Sequence, residues 1–251
     1  VLTLSGANTL SGNVTVNTGT VIVTQNNGLG DNTGVTTVAA GAVLDLQNAV
    51  IGTETLNLNG GTLRVSTGTS SLSGAVNLGA TSKLAVSGAA LTLSGAITGN
   101  GFGLTMDGPG NLTMGNAANT LSSVATTSTI GTLSMKNNAA LSVGLVNATG
   151  NVTIANTANL TLMSGQGITT TTGNIVLAGT KFTNLAGAGA LTVSAGHNWL
   201  VWSANPTPLN TSANGGDVTG DLPNNFVQYN AIYGTSNVMG TGNGLLYTFK
   251  P

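Results

Sequence analysis

The stretch LTLSGAITGNGFGLTMDGPGNLTMG, residues 91–115, contains the pattern that predicts the fold of the whole chain. Three triplets in it place a threonine between two large apolar residues, namely Leu91–Leu93, Leu104–Met106 and Leu112–Met114. Alternate side chains of a strand point to opposite faces, so each triplet turns its apolar groups inward and its threonine outward. A turn containing glycine, asparagine or serine follows each triplet. The unit is therefore a short, half-buried strand that ends at a sharp bend.

The same unit recurs along most of the chain, and no segment shows the apolar spacing of an amphipathic helix. The sequence therefore predicts an all-β fold. Neighbouring apolar pairs are mostly seven to thirteen residues apart. Besides the three above, the pairs are Leu2/Leu4, Val14/Val16, Val21/Val23, Leu44/Leu46, Leu56/Leu58, Leu63/Val65, Val76/Leu78, Leu84/Val86, Leu133/Met135, Leu141/Val143, Val152/Ile154, Leu160/Leu162, Ile175/Leu177 and Leu191/Val193.

A longer period of about twenty residues lies on top of this pattern and predicts a solenoid. It separates Leu44, Leu63, Leu84 and Leu104, and it also separates Leu112, Leu133 and Val152. One coil cannot bury its own apolar face, but stacked coils bury a continuous column. We expect residues 1–198 to form β-solenoid repeats of about nine coils, which at a strand spacing of ~4.8 Å make a rod ~45 Å long.

The charge content excludes several classes of protein. Only 4% of the residues are charged, against about 25% in an ordinary domain. Equivalent outward residues of a solenoid lie ~4.8 Å apart, where like charges repel, so uncharged hydrogen-bonding side chains are favoured there. The alternation places Asp45, Arg64, Asp107 and Lys136 in the outward phase. A net charge of −1 gives no electrostatic attraction for nucleic acid. No apolar run is long enough to cross a membrane as a helix. The chain has no cysteine, so it forms no disulfide.

Residues 199–251 have a different composition and predict an aromatic-rich terminal coil or cap. Residues 205–225 are rich in proline, asparagine and glycine and indicate a long loop. Two interpretations are open: the rings shield the end of the apolar core from water, or they form an exposed platform that binds sugar rings or a partner. The candidate contact residues of such a platform are Trp199, Trp202, Tyr229, Tyr233 and Tyr247.

Two parts of the chain resemble known bacterial surface proteins. LTLSGANTLSGNVTVNTGTVIVTQNNGLG at 2–30, followed by TTVAAGAVLDL at 36–46, is similar to the passenger repeat of autotransporters. The GNVTI-type strands, together with WLVWS at 199–203, FVQYN at 226–230 and GNGLLY at 242–247, resemble filamentous-haemagglutinin-type exoproteins. The resemblance implies a right-handed parallel β-helix that is exported across the outer membrane of a Gram-negative bacterium and serves in adhesion or as a surface fibre.

The sequence offers little catalytic chemistry, so we expect no enzyme and no cofactor. Parallel β-helices that cleave polysaccharides need clustered carboxylates, and this chain has six carboxylates in all. We also expect no metal site: the nearest pair, Asp217 and Asp221, lies in the glycine- and asparagine-rich loop, where we expect both to be solvated. These two are the candidates for Ca²⁺, but a hard cation requires six to eight oxygen ligands. His197 is the only histidine, which argues against zinc or a histidine-based triad, and we expect it to end a strand.

These observations favour a structural or adhesive segment of a large secreted surface protein that mediates attachment, self-association or the formation of fibres or biofilm. Its expected partners are other copies, joined end to end or laterally, and glycans of a host or surface. Two alternatives stay open: an ice-binding solenoid, and a β-helix that binds or cleaves carbohydrate. Ice-binding faces usually carry regular ranks of threonine pairs, whereas the outward pairs here vary, as in Thr15/Asn17 and Asn57/Asn59. Both ends of the sequence look like strands cut from a longer run.

Overall fold

The computed structural model describes residues 1–31, 33–206 and 216–250, and this part of the chain contains strands and turns but no helix. The predicted all-β class is confirmed. The strands are β1 Leu2–Leu4, β2 Val14–Val16, β3 Thr20–Val23, β4 Val35–Ala39, β5 Val43–Leu46, β6 Val50–Ile51, β7 Thr55–Asn59, β8 Thr62–Val65, β9 Thr69–Leu72, β10 Val76–Ala80, β11 Ser82–Val86, β12 Ala90–Leu93, β13 Ile97–Thr98, β14 Leu104–Asp107, β15 Asn111–Met114, β16 Ser123–Thr126, β17 Leu133–Asn137, β18 Leu141–Val143, β19 Val146–Ala148, β20 Val152–Asn156, β21 Leu160–Leu162, β22 Ile168–Thr170, β23 Ile175–Ala178, β24 Phe182–Asn184, β25 Leu191–Val193, β26 Trp199–Ser203, β27 Phe226–Tyr229 and β28 Gly244–Tyr247.

The strands stack in parallel into a β-solenoid with up to three strands to a coil. The first sheet has the order β1-β3-β5-β8-β11-β14-β16-β18-β21-β24. A second side is formed by β2-β4-β7-β10-β13 and, farther along, by β19-β22-β25. The third sheet has the order β6-β9-β12-β15-β17-β20-β23-β26-β28-β27. The solenoid has about eleven coils rather than nine: the first sheet already reaches ten strands at β24, and the strands of the aromatic end extend the third sheet beyond it.

The pairing register confirms most of the twenty-residue period and corrects one step of it. Leu44 pairs with Leu63, and Leu63 pairs with Leu84, as the spacing predicts. Leu84, however, pairs with Met106 and not with Leu104. The coil between them is two residues longer and includes a turn in which Asn100 and Gly101 both have positive φ angles. A constant period therefore misplaces this strand by two residues, which keeps the same side chains inward.

The interior is a continuous apolar column that runs from Val16 to Tyr247. Inward leucine, valine, isoleucine and methionine side chains are almost fully buried, for example Leu63, Leu84 and Met106. The residues that alternate with them, such as Thr92 and Thr113, are partly exposed and lie in register on adjacent strands. Burying one such apolar side chain contributes about 1.5–3 kcal/mol, so the column is the main source of stability.

One charged residue departs from the predicted outward placement. Asp45 follows the alternation of β5, yet its side chain is fully buried beneath its neighbours. Its carboxylate accepts hydrogen bonds from Arg64 Nη2 at 2.9 Å, Ser66 N at 3.0 Å, Ser66 Oγ at 2.8 Å and Gln47 Nε2 at 3.1 Å. Burial raises the pKa of Asp45, but these donors, Arg64 first, outweigh it and hold the pKa below the usual value. A side chain that points outward is therefore not always exposed, because longer side chains of the next coil, such as Arg64, can cover it.

The third sheet ends in an order that differs from the order of the chain. After β26 the chain passes β27 at the outer edge and returns, so that the later β28 is inserted between the two strands. Leu245 of β28 pairs with Val201 on one side and Val227 on the other. The aromatic end therefore continues the stack rather than forming a separate layer, with β28 holding β27 in place.

Candidate functional site

The candidate aromatic residues occupy three different environments. Trp199 and Tyr247 lie inside the solenoid with the rest of the apolar column. Tyr229, in the outermost strand, stacks on Tyr247 with ring centroids 6.0 Å apart and is half-buried. Trp202 points out of the same sheet but is buried beneath a loop, and only Tyr233, at 39% exposure, presents much of its ring to solvent. The structure therefore does not assemble these five residues into one exposed platform.

Trp202 is covered by residues 230–243, which we call the covering loop. Ala231 of this loop packs with Trp202, Leu246 and Ala178 in a small apolar cluster on the outer face of the third sheet. The Tyr233 ring meets the Trp202 ring nearly at right angles, at 72° and with centroids 5.8 Å apart. This edge-to-face contact is a preferred geometry for aromatic pairs.

The loop is held in place by β27. The Gln228 side chain donates from Nε2 to the Asn237 carbonyl at 2.9 Å and accepts at Oε1 from the Met239 amide at 2.9 Å. The Phe226 ring lies so close to Gly240 and Gly244 that a Cβ on either glycine would come within 2.2 Å of it. These contacts fix the second half of the loop, and the Ala231 amide, which donates to the Tyr247 carbonyl at 2.9 Å, fixes its start, so Tyr233 is a positioned side chain.

A groove, which we call the outer groove, lies beside the covering loop on the outer face of the third sheet. Lys136, Ala155, Ala178 and Trp202 occupy successive register positions along this face. Lys136 and Trp202 are thus three strands apart, which at ~4.8 Å per strand is ~14 Å. The two small alanines form the floor, and the larger side chains stand at the ends.

The outer groove consists of two adjoining cavities of about 300 Å³ and about 260 Å³. Tyr233, Asn156 and Thr157 line both cavities, Trp202 lines the first and Lys136 lines the second. Specific ligand sites in proteins start at about 300 Å³, so the combined space is large enough for a small ligand. Burial raises the pKa of the Tyr233 phenol, so its hydroxyl keeps its proton and can donate.

Asp217 is a buried carboxylate rather than a solvated loop residue. It accepts hydrogen bonds from the Ser203 hydroxyl and, at 2.9 Å, from the Phe182 amide. Burial raises its pKa to about 6, although Ser203, Phe182 and the charge of Lys181 oppose the shift. Asp217 therefore joins the loop to β24 and β26.

The second candidate Ca²⁺ ligand, Asp221, is exposed and has a positive φ of 58°. Among residues 1–31, 33–206 and 216–250, no three metal-ligating side chains come together. Part of the loop predicted for 205–225, residues 207–215, lies outside the described residues. His197 lies in the turn before β26, where its amide donates to the Ser194 carbonyl at 3.1 Å.

Comparison with known proteins adds no family or function: no family model, no curated protein and no solved structure matches this chain. In the part of the chain that the structure describes, no helix is long and apolar enough to cross a membrane. The architecture itself, a parallel β-solenoid, is compatible with a passenger-like domain.

Sequence reasoning selected Trp202 and Tyr233 but missed the groove that they border. Ala155, Ala178 and Thr157 carry no signal by themselves, since alanine and threonine occur throughout the chain. A signal exists once the register is known, because two successive alanines in an outward column leave a recess. The alternation of β17 predicts that Lys136 points outward, but nothing in the neighbouring sequence connects it with Tyr233.

Proposed function

We propose that this chain is a structural and adhesive segment of a large protein on the surface of a Gram-negative bacterium, where it mediates attachment and self-association in fibres or biofilm. The observation that carries the proposal is the uninterrupted stack of parallel strands around one apolar column. Backbone hydrogen bonds along the axis make such a stack a stiff rod, which suits a spacer or fibre.

The outer surface supports self-association. Threonine, serine and asparagine dominate the outward columns, so two rods that approach each other meet little electrostatic repulsion at a net charge of −1. The strands at the two ends, β1 and β27, each pair on one side only within the described sheets. Unpaired strand edges are templates for pairing with another chain. The resemblance to autotransporter passengers and exoproteins supports export and surface exposure.

Surface display tests the adhesive function directly. The chain is fused to an outer-membrane translocator in a bacterium that does not aggregate, and the settling of the cells and their biofilm mass are compared with those of cells that display the translocator alone. We expect displaying cells to aggregate and to form more biofilm. Equal settling and equal biofilm at equal surface expression would refute the proposal.

Variants at the two ends separate pairing of edges from general stickiness. Leu2→Lys and Val227→Lys place charges on exposed residues of β1 and β27, while Met163→Lys places the same charge on an exposed residue between them. The end variants are expected to reduce aggregation and the Met163→Lys control to preserve it. An equal reduction in all three would indicate that charge alone, and not end pairing, controls association.

A further inference from the structure

The outer groove is a shaped recess with different chemistry on each side. Its floor is the pair Ala155 and Ala178, and its lining includes the covering loop with Tyr233 and the residues Thr157 and Thr180 in the turns after β20 and β23. The arrangement is maintained by the pairing of β17, β20, β23 and β26, so it does not depend on a ligand.

The groove offers both hydrogen-bond donors and hydrogen-bond acceptors. Thr157 donates its hydroxyl proton to Asn138 Oδ1, and Thr180 donates to Asn159 Oδ1 at 3.1 Å. Both threonine oxygens therefore keep lone pairs that can accept from a ligand. The Tyr233 hydroxyl and the Lys136 ammonium supply donors. A molecule rich in hydroxyls that can both donate and accept satisfies these groups better than a purely apolar one.

Lys136 gives the groove a positive end. Its side chain is exposed, and no carboxylate of the described residues is within ion-pair distance of it, whereas Arg64 and Lys83 both have such partners. An ammonium group in this position attracts an anionic group, and a carboxylate is a matching partner. The opposite end, at Trp202 and Ala231, is apolar.

We propose that the outer groove binds a short acidic oligosaccharide, whose sugar rings lie along Ala155 and Ala178 against Tyr233 and whose carboxylate is held by Lys136. A sugar ring has an apolar C–H face, which suits the alanine floor and the aromatic wall, and a rim of hydroxyls, which suits the threonines. The choice of a saccharide rests on the surface role proposed above. An extended peptide fits less well, because the backbone groups of β17, β20 and β23 are paired within the sheet and cannot accept an added strand.

The proposal is tested by calorimetric titration of the full chain with tetragalacturonate, a linear tetrasaccharide with one carboxylate per ring. We expect saturable binding of tetragalacturonate. Its neutral methyl ester is expected to bind about tenfold more weakly, because the ester loses one charge-assisted hydrogen bond. Absence of saturable binding would overturn the proposal, and so would equal affinity for the ester or for a tetraglutamate peptide.

Two pairs of variants locate the site. Ala155→Leu fills the floor, while Ala85→Leu adds the same side chain to an outward alanine of the first sheet. Lys136→Gln removes the groove charge, while Lys83→Gln removes a lysine charge elsewhere. We expect at least a tenfold loss of binding for Ala155→Leu, a loss for Lys136→Gln that is restricted to the charged sugar, and no change for the two controls. Equal effects within either pair would overturn the assignment.

The binding and surface-display experiments together distinguish this inference from the proposed function. If cells that display the wild-type chain aggregate but the purified chain binds no acidic sugar, only the groove proposal is refuted. If the purified chain binds the sugar saturably but the displaying cells neither aggregate nor form more biofilm, only the proposed adhesive function is refuted.

Discussion

Arg64 Nη2 lies 2.9 Å from Asp45 Oδ2 on the adjacent strand, and the carboxylate that it neutralises is completely buried. The second ion pair, between Lys83 and Asp107, also joins adjacent strands of the first sheet, but both of its side chains are about one-third exposed. Both pairs place opposite signs face to face across neighbouring coils, where like charges would repel. The two pairs differ in burial and are natural controls for each other.

Replacing Arg64 by leucine is expected to destabilise the protein by about 3 kcal/mol, because it leaves the buried Asp45 carboxylate without its counter-ion. Ser66 and Gln47 still donate hydrogen bonds to Asp45 in this variant. The expected loss of unfolding free energy is therefore at the lower end of the range for a broken buried ion pair. The measurement is the midpoint of urea unfolding.

The control is Lys83→Leu, which breaks the exposed ion pair. Its expected effect is at most about 1 kcal/mol, since exposed pairs contribute little. A shift of the same size in both variants would show that the burial of Asp45 has no energetic consequence.

Stability is expected to fall as the pH rises from about 4 to about 6, because of Asp217. Its pKa is about 6 in the folded protein and 3.8 ordinarily, so the folded state binds a proton more tightly than the unfolded chain does. The contribution is fully present below pH ~4, is lost as the pH passes ~6, and amounts to at most about 3 kcal/mol.

The variant Asp217→Asn tests this sign. Asparagine can still accept from the Phe182 amide, but it has no proton to lose, so the fall in unfolding free energy between pH ~4 and ~6 is expected to disappear. Unfolding midpoints of wild type and variant are measured across that range. Parallel pH profiles for the two proteins would contradict the assignment of this titration to Asp217.

The apolar pairs predicted most of the strands and the core. Two side chains of a strand are buried on the same face only if they are two residues apart, so a buried strand face leaves a period of two in the sequence. The register was harder. The twenty-residue period pairs Leu84 with Leu104, but the turn at Asn100 and Gly101 lengthens that coil, and Leu84 pairs with Met106. Turn length is not encoded in the apolar pattern, so each longer coil introduces an error.

The outer groove could not be predicted from sequence. Its wall exists because β28 is inserted between β26 and β27, which carries the covering loop back over the third sheet. Nothing in the composition of residues 199–251 specifies that order. The burial of Trp202 follows from the same event, since by alternation alone its ring would face solvent.

Asn137 is expected to be one of the most sensitive polar residues. Its side chain is buried, accepts from the Leu121 amide at 2.8 Å, and donates to the Leu121 carbonyl at 3.1 Å, the Ala139 carbonyl at 2.9 Å and Asn156 Oδ1 at 3.2 Å. Asn137→Ala leaves these buried groups without partners, a loss of about 2–3 kcal/mol. The exposed neighbour Asn138 is the control, and Asn138→Ala is expected to change the urea midpoint by a small fraction of that; similar shifts would contradict the role of the buried amide.

Backbone packs very closely at a corner of the solenoid, where Gly74 follows β9. Its amide donates to the Gly52 carbonyl at 2.9 Å, and a Cβ on Gly74 would lie 1.9 Å from the Glu54 carbonyl oxygen and 2.5 Å from its carbon. Backbone atoms cannot move aside as a flexible side chain can, so Gly74→Ala must displace one coil relative to the next.

We therefore expect Gly74→Ala to destabilise the solenoid by about 2–3 kcal/mol, the upper part of the usual range for overpacking. Gly189→Ala is the matched control, because a Cβ at Gly189 meets no atom within 4 Å and its φ needs no glycine. Thermal unfolding of the two variants gives the comparison. If Gly74→Ala unfolds at the same temperature as Gly189→Ala, the coils at this corner can separate without cost, and the tight stacking on which the rod depends is not present there in solution.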